Sequence, residues 1–343
     1  MGLLALLGLS FAHANGIHEG ELIAPLNVAA QATPTASSQS ADGLDGVLAL
    51  AEEMRRTGAP GNCRQLLLTI DAEVGDDHRS DYLFLRGFCA ELAWDNEAAR
   101  DDYREVIARN TSKVDAARSR LALVLEDLGD GHGALQQMVI LHRNDGWSLD
   151  DQITVNLEKA IAEVAAGRRR SGARHIEAAL TVAESWKKGS WLPAKARYVL
   201  LDEDLRRAEQ HVVNGSERHQ AKAVTRRVRA FTDAEAAMVP LVAHEEPEWI
   251  LHGLYRLGGA YLAFGDELVA ARPPARLTDA QEQIYRAQVA TQRQQLRTRA
   301  AHVYDEGVQL ALRLQFESPL VAHLQLARDR LGIYQSGSQT PSQ

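Results

Sequence analysis

The feature that most constrains this chain is a recurrence of small and bulky residues at a fixed offset. Gly87, Ala90, Trp94, Ala99 and Tyr103 return 35 positions later as Ala122, Leu125, Gly129, Ala134 and Met138. A period of this size marks a repeated supersecondary unit that cannot bury its apolar face alone and must stack on its neighbours. Each copy reads as two helices. The first carries apolar residues at helical spacing, as in Leu121, Val124, Leu125 and Leu128, and Ala99 and Ala134 let the second approach closely. Asp95-Asn96 and Gly129-Asp130-Gly131 supply the turns. A third copy is degenerate. Ile153, Leu157, Ala160, Ile161 and Val164 form one face, and Ile176, Ala179, Leu180 and Ala183 the other. Ala173 takes the small position, 39 residues after Ala134, which leaves Glu177 at the bulky one and implies an insertion around Gly167 to Gly172.

Composition agrees with helices throughout. Ala, Leu, Arg, Glu and Gln fill long stretches, aromatic residues are only 6% of the chain, and no alternating run is bounded by turn residues as a strand would be. The expected fold class is all-α. A net charge of −8 and a pI near 5.9 argue against a nucleic-acid surface, which needs a clustered positive field, and the longest basic run is only Arg168 to Arg170.

The repeated pattern resembles the tetratricopeptide repeat (TPR) family, whose period is about 34 residues. The resemblance returns as Leu257, Gly258, Tyr261 and Gly265, after which Arg272-Pro273-Pro274 must break the helix. A long helical run from about Thr278 to Leu314 then carries Ala300 or Ala301 and Tyr304 at the small and bulky places. Glu317-Ser318-Pro319 opens a last helix, Leu320 to Leu331, fit to cap the stack. The C-terminal half, with Glu248-Trp249, Phe264, Pro273-Pro274, Tyr285 and Leu331-Gly332, is also similar to cell-envelope TPR proteins of the myxobacterial type, some of which serve gliding-motility or secretion complexes. The resemblance implies a right-handed solenoid of helical hairpins that binds other proteins and needs no cofactor. It places repeats over 44–190 and a second helical region with a degenerate repeat over 191–334, looser between about Trp191 and Val242. By register, the binding groove falls on Phe84, Phe88 and Glu91, on Ser119, Leu123 and Glu126, and on His252 and Tyr255. Phe84 and Phe88, four apart on one helical face, suit either partner anchors or the core beneath the preceding hairpin.

The first fourteen residues resemble a secretory signal. An apolar run from Leu3 to Phe11, too short to span a bilayer, precedes Ala12-His13-Ala14, although no Lys or Arg precedes the run. Residues 15–43 read as a disordered tether rich in Ala, Pro, Ser, Thr and Gln, and 335–343 as a polar tail. No later segment is apolar enough to cross a membrane, so the expectation is a periplasmic or secreted protein whose partners are other proteins of the cell envelope. Cys63 and Cys89, on successive helices, suit a disulfide in an oxidising compartment and two small buried hydrophobes otherwise.

Familiar catalytic constellations do not assemble. His244-Glu245-Glu246 begins a zinc-protease spacing, but position 248 is Glu where His is required and Pro247 interrupts the turn. Gly129, Gly131 and Gly133 lack the preceding strand and the Lys-Ser/Thr of a phosphate loop. Asp76-Asp77-His78 and Asp101-Asp102 suit solvated faces. The sequence therefore predicts a non-catalytic scaffold or adaptor with no metal. The competing reading is an exported enzyme of the cell-wall hydrolase type with a helical domain, and a helical carrier of a small ligand is a third.

Overall fold

The computed structural model describes residues 43–56, 59–144, 146–183, 191–275 and 277–332. The signal-like run, the tail and all of the expected tether except Gly43 lie outside them. Among the described residues there are thirteen α-helices and no strand. They fall into two compact units, one holding residues 43–183 and the other 191–332.

The first unit consists of α1 (Leu44–Arg56), α2 (Pro60–Thr69), α3 (Asp76–Leu92), α4 (Asn96–Arg109), α5 (Val114–Asp127), α6 (Gly131–His142), α7 (Leu149–Ala165) and α8 (Arg169–Ala183), with a short 3-10 turn at Asp71–Glu73. Every helix packs on the next, and α1, α3, α5 and α7 also touch in succession, so the odd helices form one layer. The hairpins share a closure. The backbone N–H groups of Ala59, Asp95, Asp130 and Arg168 donate to the carbonyls of Met54, Ala90, Leu125 and Glu163, each five residues earlier, at 2.8–2.9 Å. This bond ends a helix through one left-handed residue and satisfies a carbonyl that would otherwise be an orphan. In the closures at Asp95, Asp130 and Arg168 those residues are Trp94, Gly129 and Gly167, at φ 63°, 80° and 83°. The next residue then caps the following helix: Asp95 accepts from the N–H of Ala98, and Asp130 from that of Gly133.

The closures correct the phase of the third copy. Gly167 lies 38 residues after Gly129, so the extra length is already present before the turn; it resides in α7, which has 17 residues against 14 in α5. There is no insertion between Gly167 and Gly172. The close-packed position belongs to Gly172, where a Cβ would come 2.6 Å from Cγ2 of Val164, and not to Ala173. Ile176, fully buried, then fills the bulky place assigned above to Glu177.

The second unit consists of α9 (Trp191–Glu209), α10 (Glu217–Val242), α11 (Pro247–Ala270), α12 (Asp279–Leu314) and α13 (Pro319–Leu331). Its principal pair is α11 against the 36-residue α12, which starts at a reciprocal capping box between Thr278 and Gln281. Gly258 lies beneath the Tyr304 ring as Gly87 lies beneath that of Tyr103, so the small–bulky contact of the first unit recurs here. In place of the looser stretch expected after Trp191 stand two long helices. Some of the charged residues in this region pair across the packing: Arg256 of α11 binds Asp202 and Glu209 of α9, and the buried Arg227 of α10 binds Glu267 of α11.

Candidate protein-binding face

Phe88 is a junction of three helices in the odd layer. Its ring sits on α3, the guanidinium of Arg55 on α1 lies 4.6 Å from the ring centroid, and that of Arg120 on α5 lies 4.3 Å from it. Both distances are within the range of cation–π attraction, which contributes about 0.5–1 kcal/mol at exposed sites and more where water is excluded. Phe84, one turn earlier, packs edge-on to Phe88 with centroids 6.4 Å apart and lies 5.8 Å from Tyr103, while Lys113 approaches its ring at 5.7 Å. Both phenylalanines are half-buried, so they join the core to the surface and do not belong wholly to either.

Glu91 extends the seam by one turn. It pairs with Arg120 and accepts a 2.8 Å hydrogen bond from the Tyr103 hydroxyl. Burial pushes the Glu91 carboxyl up, against the pull of Arg120 and Tyr103. Burial, followed by the Glu91 charge, drives the Tyr103 phenol well above its ordinary range. Glu91 thus bridges α3 to α5. Ser119 does the same one helix further on, donating at 2.9 Å to the buried Glu158 of α7. Glu126 is half-buried, and Leu123, only 6% exposed, contributes packing and almost no surface. Of the six positions assigned to the groove in this unit, Phe88, Glu91 and Ser119 thus lie at the seams between successive odd helices. The sequence pattern marks Tyr103 only as the bulky repeat position and gives no mark to the other partners, Arg55, Arg120 and Glu158, because the period shows which helices stack but not which side chains meet.

His252 and Tyr255 lie in the second unit. His252 stacks on Trp249 at 5.2 Å and lies 5.4 Å from Tyr198. Burial, with the Lys195 charge nearby, lowers its pKa to about 4, so the ring is neutral near pH 7. Tyr255 is 39% exposed, beside Tyr304 at 5.9 Å and His323 of α13 at 6.4 Å. The Lys195 ammonium sits 5.5–5.6 Å from the rings of Trp191 and Trp249. His244 and His252 converge on no further ligand, and among the described residues no three His, Cys, Asp or Glu side chains are grouped to hold a metal ion. Cys63 of α2 and Cys89 of α3 form a disulfide with their Cα atoms 6.0 Å apart, which ties the first hairpin to the helix carrying Phe84 and Phe88. No helix among the described residues is long and apolar enough to cross a membrane. No family model matches the chain, and no curated protein matches it.

Proposed function

We propose that the chain is a non-catalytic protein-interaction scaffold, a right-handed solenoid of TPR-like helical hairpins working in a cell-envelope assembly of the motility or secretion kind. The observation that carries this reading is the odd-helix layer with its aromatic–cationic seam at Phe88. A row of parallel first helices offers one continuous face, and a half-buried aromatic pair at its centre resembles the anchors around which binding energy concentrates. The shared hairpin closures and the small–bulky contacts at Gly87–Tyr103 and Gly258–Tyr304 favour the TPR-like reading. The disulfide fits the periplasmic or secreted setting expected from the signal-like run.

The test is cross-linking mass spectrometry on the envelope fraction of the source cells, with wild-type and Phe88→Ala chains side by side. Partner peptides captured near Phe84, Phe88 and Arg120, and reduced at least about tenfold in the variant, would support the reading. Capture that Phe88→Ala leaves unchanged in a folded protein would sink it.

A further inference from the structure

Apart from the odd-helix face, the first unit carries a second surface of distinct chemistry on its even helices. A shallow groove of about 410 Å³ runs along α6 at the start of α8. Leu135, Val139 and Ile140 floor it, Arg143 and Arg168 stand at its rim, and none of its lining is acidic although the chain carries a net charge of −8. Other arginines of this unit are tied to carboxylates, as Arg86 is to Asp71 and Asp102 and Arg109 to Asp76 and Glu105. The side chains of Arg143 and Arg168, by contrast, take part in no hydrogen bond or ion pair among the described residues. Ile140 is 40% exposed, so the apolar floor is open to a ligand.

Arg168 also departs from the pattern of its own repeat. The residue after the left-handed one is Asp95 in one hairpin and Asp130 in the next, and each accepts from a first-turn N–H of the helix it opens. After Gly167 the same place holds Arg168, whose side chain can only donate and whose charge meets the positive end of the α8 dipole. An anion arriving from outside would offset both positive charges. The apolar floor then decides what carries that anion. A free phosphate-like ion would use the arginines and leave Leu135, Val139 and Ile140 bare, whereas a wholly aliphatic ligand would leave the arginines unused. We propose that this groove docks a peptide segment of a partner protein in which two carboxylates flank aliphatic side chains, the carboxylates at Arg143 and Arg168 and the aliphatic groups over Leu135, Val139 and Ile140. The site uses none of the residues of the Phe88 face, so it does not rest on the scaffold reading built there.

The test follows the fluorescence anisotropy of a labelled Gly-Glu-Leu-Ile-Glu-Gly peptide added to the full chain, beside a copy with Gln for both Glu and a copy with Ser for Leu and Ile. The first peptide should saturate below about 1 mM, and each copy should bind at least about tenfold more weakly. Added salt should weaken the first peptide and leave the Gln copy unchanged. Arg143→Glu with Arg168→Glu should lower the affinity about tenfold. A peptide with Lys for both Glu should bind that variant better than it binds the wild type, a reversal that a folding defect would not produce. A photo-reactive phenylalanine analogue at Gln136, at the groove edge, should cross-link to the bound peptide. Phe88→Ala should leave all of these readings unchanged, which separates failure here from failure of the scaffold reading. The proposal is overturned if a chain of native helical content shows no saturable binding of the first peptide, or if affinity is indifferent to the Gln copy, the Ser copy or the charge reversals. It is overturned equally if sedimentation shows the wild type self-associating and the charge-reversed variant monomeric, since a second copy then covers the groove.

Discussion

Reducing the Cys63–Cys89 disulfide should destabilise the first unit by an amount that can be worked from the chain. The two cysteines are 26 residues apart and both fully buried. Closing a loop of that length removes denatured-state entropy worth about 3.5 kcal/mol at 25 °C on the chain-entropy model. For a unit of this size, that corresponds to about 10 °C in melting temperature. The measurement is urea and thermal unfolding of one preparation with and without dithiothreitol, with hydrogen exchange followed peptide by peptide. The midpoint should fall on reduction, and protection should be lost first in α2 and α3, which the bond joins. A Cys63→Ala/Cys89→Ala chain is the control. It should respond to reductant not at all, and it should lie slightly below the reduced wild type because two buried sulfurs leave small voids. The reasoning is refuted if thiol titration of protein prepared under oxidising conditions finds two free thiols per chain, or if reduction shifts stability by less than about 1 kcal/mol. Either result would return the cysteines to the role of small buried hydrophobes and would remove the support the bond gives to an exported setting.

Three further outcomes follow from the packing. Arg120→Ala leaves the Glu91 carboxylate buried without its cation and should cost about 3 kcal/mol in chemical denaturation; adding Glu91→Leu should recover most of that, since the penalty lies in the stranded charge. A Cβ at Gly258 would stand 2.9 Å or less from three atoms of the Tyr304 ring, so Gly258→Ala should cost about 1–3 kcal/mol, and Tyr304→Leu in the same chain should relieve part of it. His252 has a folded pKa near 4 against about 6.5 unfolded, so below pH 6.5 the unfolded chain takes up a proton that the folded chain refuses. Its contribution to stability is therefore intact above pH 6.5 and declines to a loss of at most about 3 kcal/mol by pH 4. The difference between wild type and His252→Gln in urea midpoint should follow that curve, and a difference constant with pH would refute it.

The helical class and the two hairpins α3–α4 and α5–α6 are legible in the sequence because the hairpin closures leave marks there. A left-handed residue followed by a capping Asp is visible at Gly129-Asp130, and the small–bulky contact shows at Gly87 and Tyr103. The α7–α8 hairpin reads one residue out of phase at its small and bulky positions because two adjacent small residues, Gly172 and Ala173, both satisfy a pattern argument; only the approach of the Val164 side chain decides between them. The stretch after Trp191 read as loose for a related reason. Arg227, Arg256, Asp202 and Glu209 count as solvent-seeking when taken singly, yet pairing across helices makes them compatible with burial.

The seam at Phe88 was illegible for a different cause, and it leaves a usable signal. In a stack of hairpins, contacts between successive first helices must join residues about one period apart. Ser119 and Glu158 are 39 positions apart, Glu91 and Arg120 are 29 apart, and Phe88 lies 33 after Arg55 and 32 before Arg120. All of these bracket the 35-residue recurrence. A cation one period from a half-buried aromatic on a first helix is therefore a sequence mark of a seam, as the apolar stripe is of a core. It also fixes the sign of a double-mutant cycle. Arg55→Ala and Arg120→Ala should each weaken the protein less in a Phe88→Leu background than in the wild type, by about 0.5–1 kcal/mol per cation. Strict additivity would mean that the two guanidiniums only lie near the ring and that the odd helices are held together by their aliphatic contacts alone.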